Sequence, residues 1–286
     1  MYRSLLALGF AVFACTATAQ LLAPPTHKPP PTADELKRIE TIEAIGREIY
    51  RQDVLAWRAT DALLAKLGER RMKEQTYGWV ITTIDGGALV TFARRDPANA
   101  DDEVLAEVSV LDGKRKPRVD AKAKRALSPT ERAILAARHT AMAVVPVKCS
   151  QTYNTAVLPN PDGGWDVYAL AASTRTQVVP MGGHARIHVN ADGTKVLDIE
   201  PYSKGCLIMD IAEQRKQSGQ EPAFLMTTHI VDDLPAPVHV FLNLSFDKPI
   251  VIGTQRLNWG IEKGKIIPLP TKAETEPAAP DDAGTP

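Results

Sequence analysis

The first nineteen residues constrain this chain more than any others. Met1 to Ser4 carry one positive charge on Arg3, Leu5 to Cys15 form an apolar run, and Ala17-Thr18-Ala19 supplies the small-x-small pattern of a signal-peptidase site. The segment has the build of a secretory signal peptide (1–19) and is too short for a membrane span. It predicts a mature chain that starts at Gln20 and folds in an oxidising compartment. Two cysteines then remain, Cys149 and Cys206, and they are expected to form a disulfide rather than act as reactive thiols. Closing a loop of about 57 residues, that bond contributes roughly 4 kcal/mol in the chain-entropy relation. A competing use of the segment makes Val12-Phe13-Ala14-Cys15 a bacterial lipoprotein box with Cys15 lipidated. It fits less well, because Phe13 is bulky and Ala17-Thr18-Ala19 accounts for the segment unaided.

Charge narrows the partners. Lys+Arg and Asp+Glu each total 34 in 286 residues, so no net field draws in nucleic acid or an anionic membrane. No later apolar run approaches the roughly 20 residues of a membrane helix. A periplasmic or secreted protein is expected, and 44% hydrophobic residues are enough for one large domain or two small ones.

Residues 20–31 hold five prolines and predict an extended linker, and 268–286 hold five more with little to bury, predicting a disordered tail. Between them the chain reads as two α+β units, each a helix followed by an antiparallel meander: 32–127 and 128–267. In the first, Thr32 and Glu35 make a capping box ahead of Leu36, Ile39, Ile42, Ile45 and Ile49 at helical spacing. This helix continues to about Gly68, with a break expected near Gly46. Hairpins follow around Asp85-Gly86-Gly87 and Asp112-Gly113. In the second unit Ser128, Pro129 and Glu131 open a helix that Pro146 stops. Strands are then predicted at 165–171, 186–189 and 195–199, and at 238–246, where Val238, Val240, Leu242, Leu244 and Phe246 alternate. A last pair, 250–253 and 259–267, closes the sheet. This element order resembles the PepSY and cystatin-like folds of exported proteins. Gly182-Gly183-His184 through Cys206, with Thr228 to Leu244, resembles secreted proteins of Gram-negative bacteria to which no function is attached, and so implies none here.

Candidate chemistry gathers at two places. Ser203-Lys204-Gly205-Cys206 resembles the nucleophile motif of L,D-transpeptidases, exported cysteine enzymes that cross-link peptidoglycan. The resemblance implies Cys206 as nucleophile and His188, fifteen residues before Ser203, as its base. The chain departs from that pattern in having Val189 after His188, Ile208 after the cysteine, and Cys149 as a rival partner for the sulfur. The strand His184 to Val189 offers another site. Alternation puts His184, Arg186 and His188 on one face, a surface on which Arg186 could hold an anion. At about 3.3 Å per residue the two histidines are too far apart to share a metal ion. His229 with Asp232 and Asp233 is the remaining His/carboxylate cluster, and Asp232-Asp233-Leu234-Pro235 reads as a turn between two strands. No Gly-x-Ser-x-Gly, His-Glu-x-x-His, phosphate loop or dinucleotide fingerprint is present, and no cofactor or metal is implied.

The expectation is therefore an exported, non-enzymatic protein that binds an unidentified protein or cell-envelope component through a sheet face or edge. Its binding candidates are His184, Arg186, His188, His229 and Asp232. The alternatives are the Cys206/His188 transpeptidase and a carrier of small hydrophobic ligands.

Overall fold

Thr32 opens the first helix through four residues of local chemistry. Its hydroxyl accepts the Glu35 N–H at 3.2 Å, and the Glu35 carboxylate accepts the Thr32 N–H at 2.8 Å. Two otherwise orphaned donors are thereby satisfied. The computed structural model describes residues 29–94, 103–173 and 175–269. The expected signal peptide, most of the proline-rich linker and the tail from Pro270 on lie outside the described residues.

Helix α1 (Ala33–Leu67) runs unbroken to Gly68, whose φ of 82° suits glycine. The break expected at Gly46 is absent, and the glycine has a packing role instead. A Cβ at that position would lie 2.5 Å from the Val240 Cβ and 2.6 Å from the Pro237 carbonyl oxygen, so its absence lets a second helix approach closely. After the short α2 (Glu69–Gln75), strands β1 (Thr76–Ile84), β2 (Gly87–Arg94), β3 (Val104–Leu111) and β4 (Arg118–Asp120) form an antiparallel meander in that order. Leu55, Ala59 and Leu63 of α1 bury against Val90, Phe92 and Val108 of this sheet.

Helix α3 (Pro129–Ala143) begins at the second capping box, Ser128 with Glu131. The paired Arg125 guanidinium holds the Glu131 carboxyl down at about 2, with the Ser128 hydrogen bonds helping against burial. Strands β5 (Tyr153–Pro159), β6 (Trp165–Ala171), β8 (Ala185–Val189) and β9 (Val196–Pro201) make a second antiparallel sheet in that order. Between them, β7 (Val178–Pro180) leaves to pair with β10 (Ile208–Asp210). Ile134, Leu135, Ala137 and Ala141 of α3 pack on one face, against Val167, Ala169 and Ile187.

The last part differs from expectation. Beyond α4 (Ile211–Ser218) come β11 (Leu225–Thr228), α5 (Pro237–Phe246), β12 (Ile250–Gly253), β13 (Asn258–Glu262) and β14 (Lys265–Leu269). Residues 238–246, expected as a strand, are helix α5. Its first seven residues are buried all round, so their alternation marks complete burial and not a pleat. Because α5 crosses between them, β11 and β12 pair in parallel, and the second half of the chain is not wholly antiparallel. The final strand also runs two residues past the expected end, pairing Pro268 with Trp259 and Leu269 with Asn258. The arrangement as a whole is α+β, with five described helices against antiparallel and mixed sheets.

Helix α1 ties these parts together with buried polar side chains. The Gln52 amide donates to the Val157 carbonyl and accepts its N–H, both at 3.0 Å, closing the free edge of β5 as a strand would. Glu43, 4% exposed, accepts the Ile266 N–H of edge strand β14 and the Lys265 ammonium, each at 2.8 Å. Two sheet edges are thus covered by one helix.

Candidate functional site

Cys149 and Cys206 form a disulfide, with an S–S distance of 2.13 Å. It fastens the segment after α3 to the loop ahead of β10. Gly183 lies against it. With φ at +85° and a would-be Cβ only 2.5 Å from that of Cys149, no other residue fits the position without movement.

Beside the bond is a hollow of about 260 Å³, walled by Gly205 to Leu207 on one side and by Thr227, Thr228, Ile230 and Val231 on the other. His188 is not among its lining residues. Its Nδ1 lies 3.1 Å from Asp166 Oδ1, on the β6–β8 pair, while the Cys206 sulfur is held by Cys149. The two residues of the transpeptidase reading are thus engaged separately.

Strand β11 flanks this hollow and ends its sheet, in the order β11-β12-β13-β14. The N–H groups of Leu225 and His229 donate to the Pro249 and Gly253 carbonyls, toward β12. Strand periodicity then turns the N–H groups of Met226 and Thr228 outward. Among the described residues nothing hydrogen-bonds them, whereas the edges of β5 and β14 are occupied by Gln52 and Glu43. Of thirteen exposed large hydrophobic residues among the described ones, six fall on two short segments at this place: Leu207, Ile208, Phe224, Met226, Ile230 and Val231. Their clustering makes an apolar rim around an open strand edge.

A second cleft, about 240 Å³, lies on the other side of Tyr202, which lines both. It gathers three of the residues expected from the sequence, Arg186, His229 and Asp232, and adds Tyr168, Glu200 and Tyr202. Tyr168, Arg186 and Glu200 are direct cross-strand neighbours on β6, β8 and β9. Arg186 is no vacant anion site. It pairs with Glu200 at 2.9 Å, Asp198 at 3.5 Å and Asp166 at 3.7 Å. Arg38 of α1 reaches across to Asp232 at 2.6 Å. The 229–232 loop serves both hollows, with His229 and Asp232 on the cleft and Ile230 and Val231 on the rim.

His184 is buried rather than displayed. Its Nδ1 accepts the Ala171 N–H at 3.1 Å, and Nε2 lies 2.7 Å from the Pro180 carbonyl. Burial pushes its pKa down to about 4, opposed by the Pro180 hydrogen bond. His239 caps α5 by accepting the Ala236 N–H at 3.0 Å, and its ring stands edge-on to His229 at 5.0 Å. Burial lowers both of these pKa values as well. No group of three or more His, Cys, Asp or Glu among the described residues is arranged to hold a metal ion.

Sequence reasoning missed Tyr168, Glu200 and Tyr202, although β-alternation from Arg186 and its partner strands carries the signal. It also missed the β11 edge, whose short uncharged run Leu-Met-Thr-Thr was the available clue. No protein-family model, curated protein or solved structure matches this chain. Among the described residues, no helix is long and apolar enough to cross a membrane, and the disulfide is compatible with an extracytoplasmic location.

Proposed function

We propose that this protein is an exported, non-catalytic binding protein of the cell envelope that takes an extended segment of a partner protein along the free edge of β11. The observation that carries the reading is that open edge with its apolar rim. Backbone hydrogen bonds to Met226 and Thr228 would supply affinity, and alternate side chains of the added strand would bury on Met226, Ile230 and Val231. The disulfide supports the role by fixing the opposite wall of the hollow.

The test is selection from a library of extended eight-residue peptides, followed by comparison of two variants. Thr228→Pro removes an outward N–H without touching the β11–β12 ladder, and Thr228→Ala keeps it. Selected peptides are expected to lose roughly tenfold or more in affinity for Thr228→Pro, at about 1.4 kcal/mol per decade, and little for Thr228→Ala. Peptides indifferent to the proline would contradict the reading.

A second reading, a carrier of small hydrophobic ligands, is favoured by one observation: a largely apolar hollow of about 560 Å³ between α1, α2 and β1, lined by Leu64, Met72 and Thr76. It predicts that a fluorescent hydrophobic probe binds, is displaced by fatty acids, and is lost in Leu64→Lys.

A further inference from the structure

The cleft behind Tyr202 has a chemistry that strand addition does not use. Tyr168 and Tyr202 are 2% and 7% exposed, yet neither hydroxyl hydrogen-bonds any described residue, and both side chains line the cleft. A phenol so deeply placed ordinarily finds a partner. Two such groups converging on one small space mark a position where a ligand atom completes the set.

The charges around that space select the ligand's sign. Arg38 and Arg186 line it together with Glu200 and Asp232, and Arg186 is also drawn to two carboxylates outside the lining, Asp166 and Asp198. Arg186 alone is shared by three of the four, so each is only partly compensated. Burial holds the Glu200 carboxyl above its usual range despite Arg186, and neighbouring Asp198, Asp232 and Asp166 push the same way. A cation beside Glu200 would relieve that crowding, whereas an anion would meet it head-on. Apart from Thr41 and His229 the remaining walls are apolar, with Ile42 and Ile45 from α1 and Leu234 beyond the loop. At about 30 Å³ per water the cleft has room for roughly eight waters, so the ligand is small.

We propose that this cleft binds a small organic ammonium ion: a primary amine on a short apolar stem, its N–H groups donating to Glu200 and to the hydroxyls of Tyr168 and Tyr202. The stem lies against Ile42, Ile45 and Leu234, and the tyrosine rings add cation–π attraction. The Arg38–Asp232 pair spans α1 and the 229–232 loop beside the ligand. This site is separate from the β11 edge, and neither proposal depends on the other.

The test compares three linear molecules of similar length by calorimetry and by thermal shift of the mature protein: butylamine, 1-butanol and butanoate. The amine is expected to bind and raise the melting temperature, the alcohol to bind at least roughly tenfold more weakly, and butanoate not to bind. Glu200→Gln is expected to weaken the amine by about tenfold or more. Tyr168→Phe keeps the ring and the packing, so it serves if Glu200→Gln folds poorly, and it should cost the amine several-fold. Glu74→Gln, on α2, should leave the affinity unchanged. Equal binding of the alcohol or butanoate overturns the proposal. So does amine affinity untouched by both cleft variants, or the absence of amine binding at millimolar concentration.

Discussion

His184 carries two lessons about single side chains in this protein. Strand alternation groups it with Arg186 and His188 on a face expected to meet solvent, but His184 lies just ahead of β8 and is buried. The second sheet is covered on both sides, by α3 on one and by α1 with the 229–237 segment on the other, so residues on the expected outer face are partly or wholly buried. Alternation reads which face a residue takes; it cannot read what a helix far away in sequence lays over that face. The burial also has a pH consequence. With its folded pKa near 4, His184 stays neutral in the native state while the unfolded chain protonates near 6.5. The unfolded state therefore binds more protons, and stability is full above about pH 6.5 and falls as pH drops toward 4. His184 alone makes this on the order of 3 kcal/mol, and His229 and His239 act in the same direction. Urea unfolding from pH 7.5 to 4.5 should show the midpoint falling steadily. A flat profile down to pH 5 would show that these histidines are not held neutral.

Helix α5 was the least legible element. Val238, Val240, Leu242, Leu244 and Phe246 satisfy a period of two, but His239, Phe241 and Asn243 between them are also buried, and a run buried on all sides satisfies either period. Pro237 at the first helical position was the local sign that a helix starts there. By contrast, both capping boxes announce their helices plainly, because the satisfying groups lie within four residues of each other. Gly46 makes a sharp test of how α1 meets α5. In an isolated helix Gly→Ala stabilises by about 1 kcal/mol. Here the added methyl would stand 2.5 Å from the Val240 Cβ and 2.6 Å from a backbone oxygen, neither of which yields cheaply. Gly46→Ala is therefore expected to destabilise by about 1–3 kcal/mol net, measured by urea unfolding at pH 7.5. A stabilised variant would show that the two helices are not in close contact.

In the whole molecule, α1 spans the first sheet, the edge of the second and the edge of the last, while the disulfide secures the remaining corner. Replacing both cysteines, Cys149→Ser with Cys206→Ser, should lower the unfolding free energy by about 4 kcal/mol and leave strand addition intact at temperatures where the variant is folded. Loss of peptide binding in a folded double variant would assign the sulfur a role in recognition itself. The disulfide was legible from the signal-peptide pattern expected at the N-terminus and from the cysteine count. The β11 edge was not, because a free edge is a property of sheet order, set by where α5 returns the chain. The most direct test of that edge is photo-crosslinking in the living cell, with a photoreactive residue placed at position 226 and, as an equally exposed control, at Trp57 (the two side chains are 51% and 53% exposed). The account predicts discrete adducts with a partner protein from position 226, their disappearance when Thr228→Pro is added, and none from position 57. Adducts that persist in Thr228→Pro, or that form equally from both positions, would contradict it.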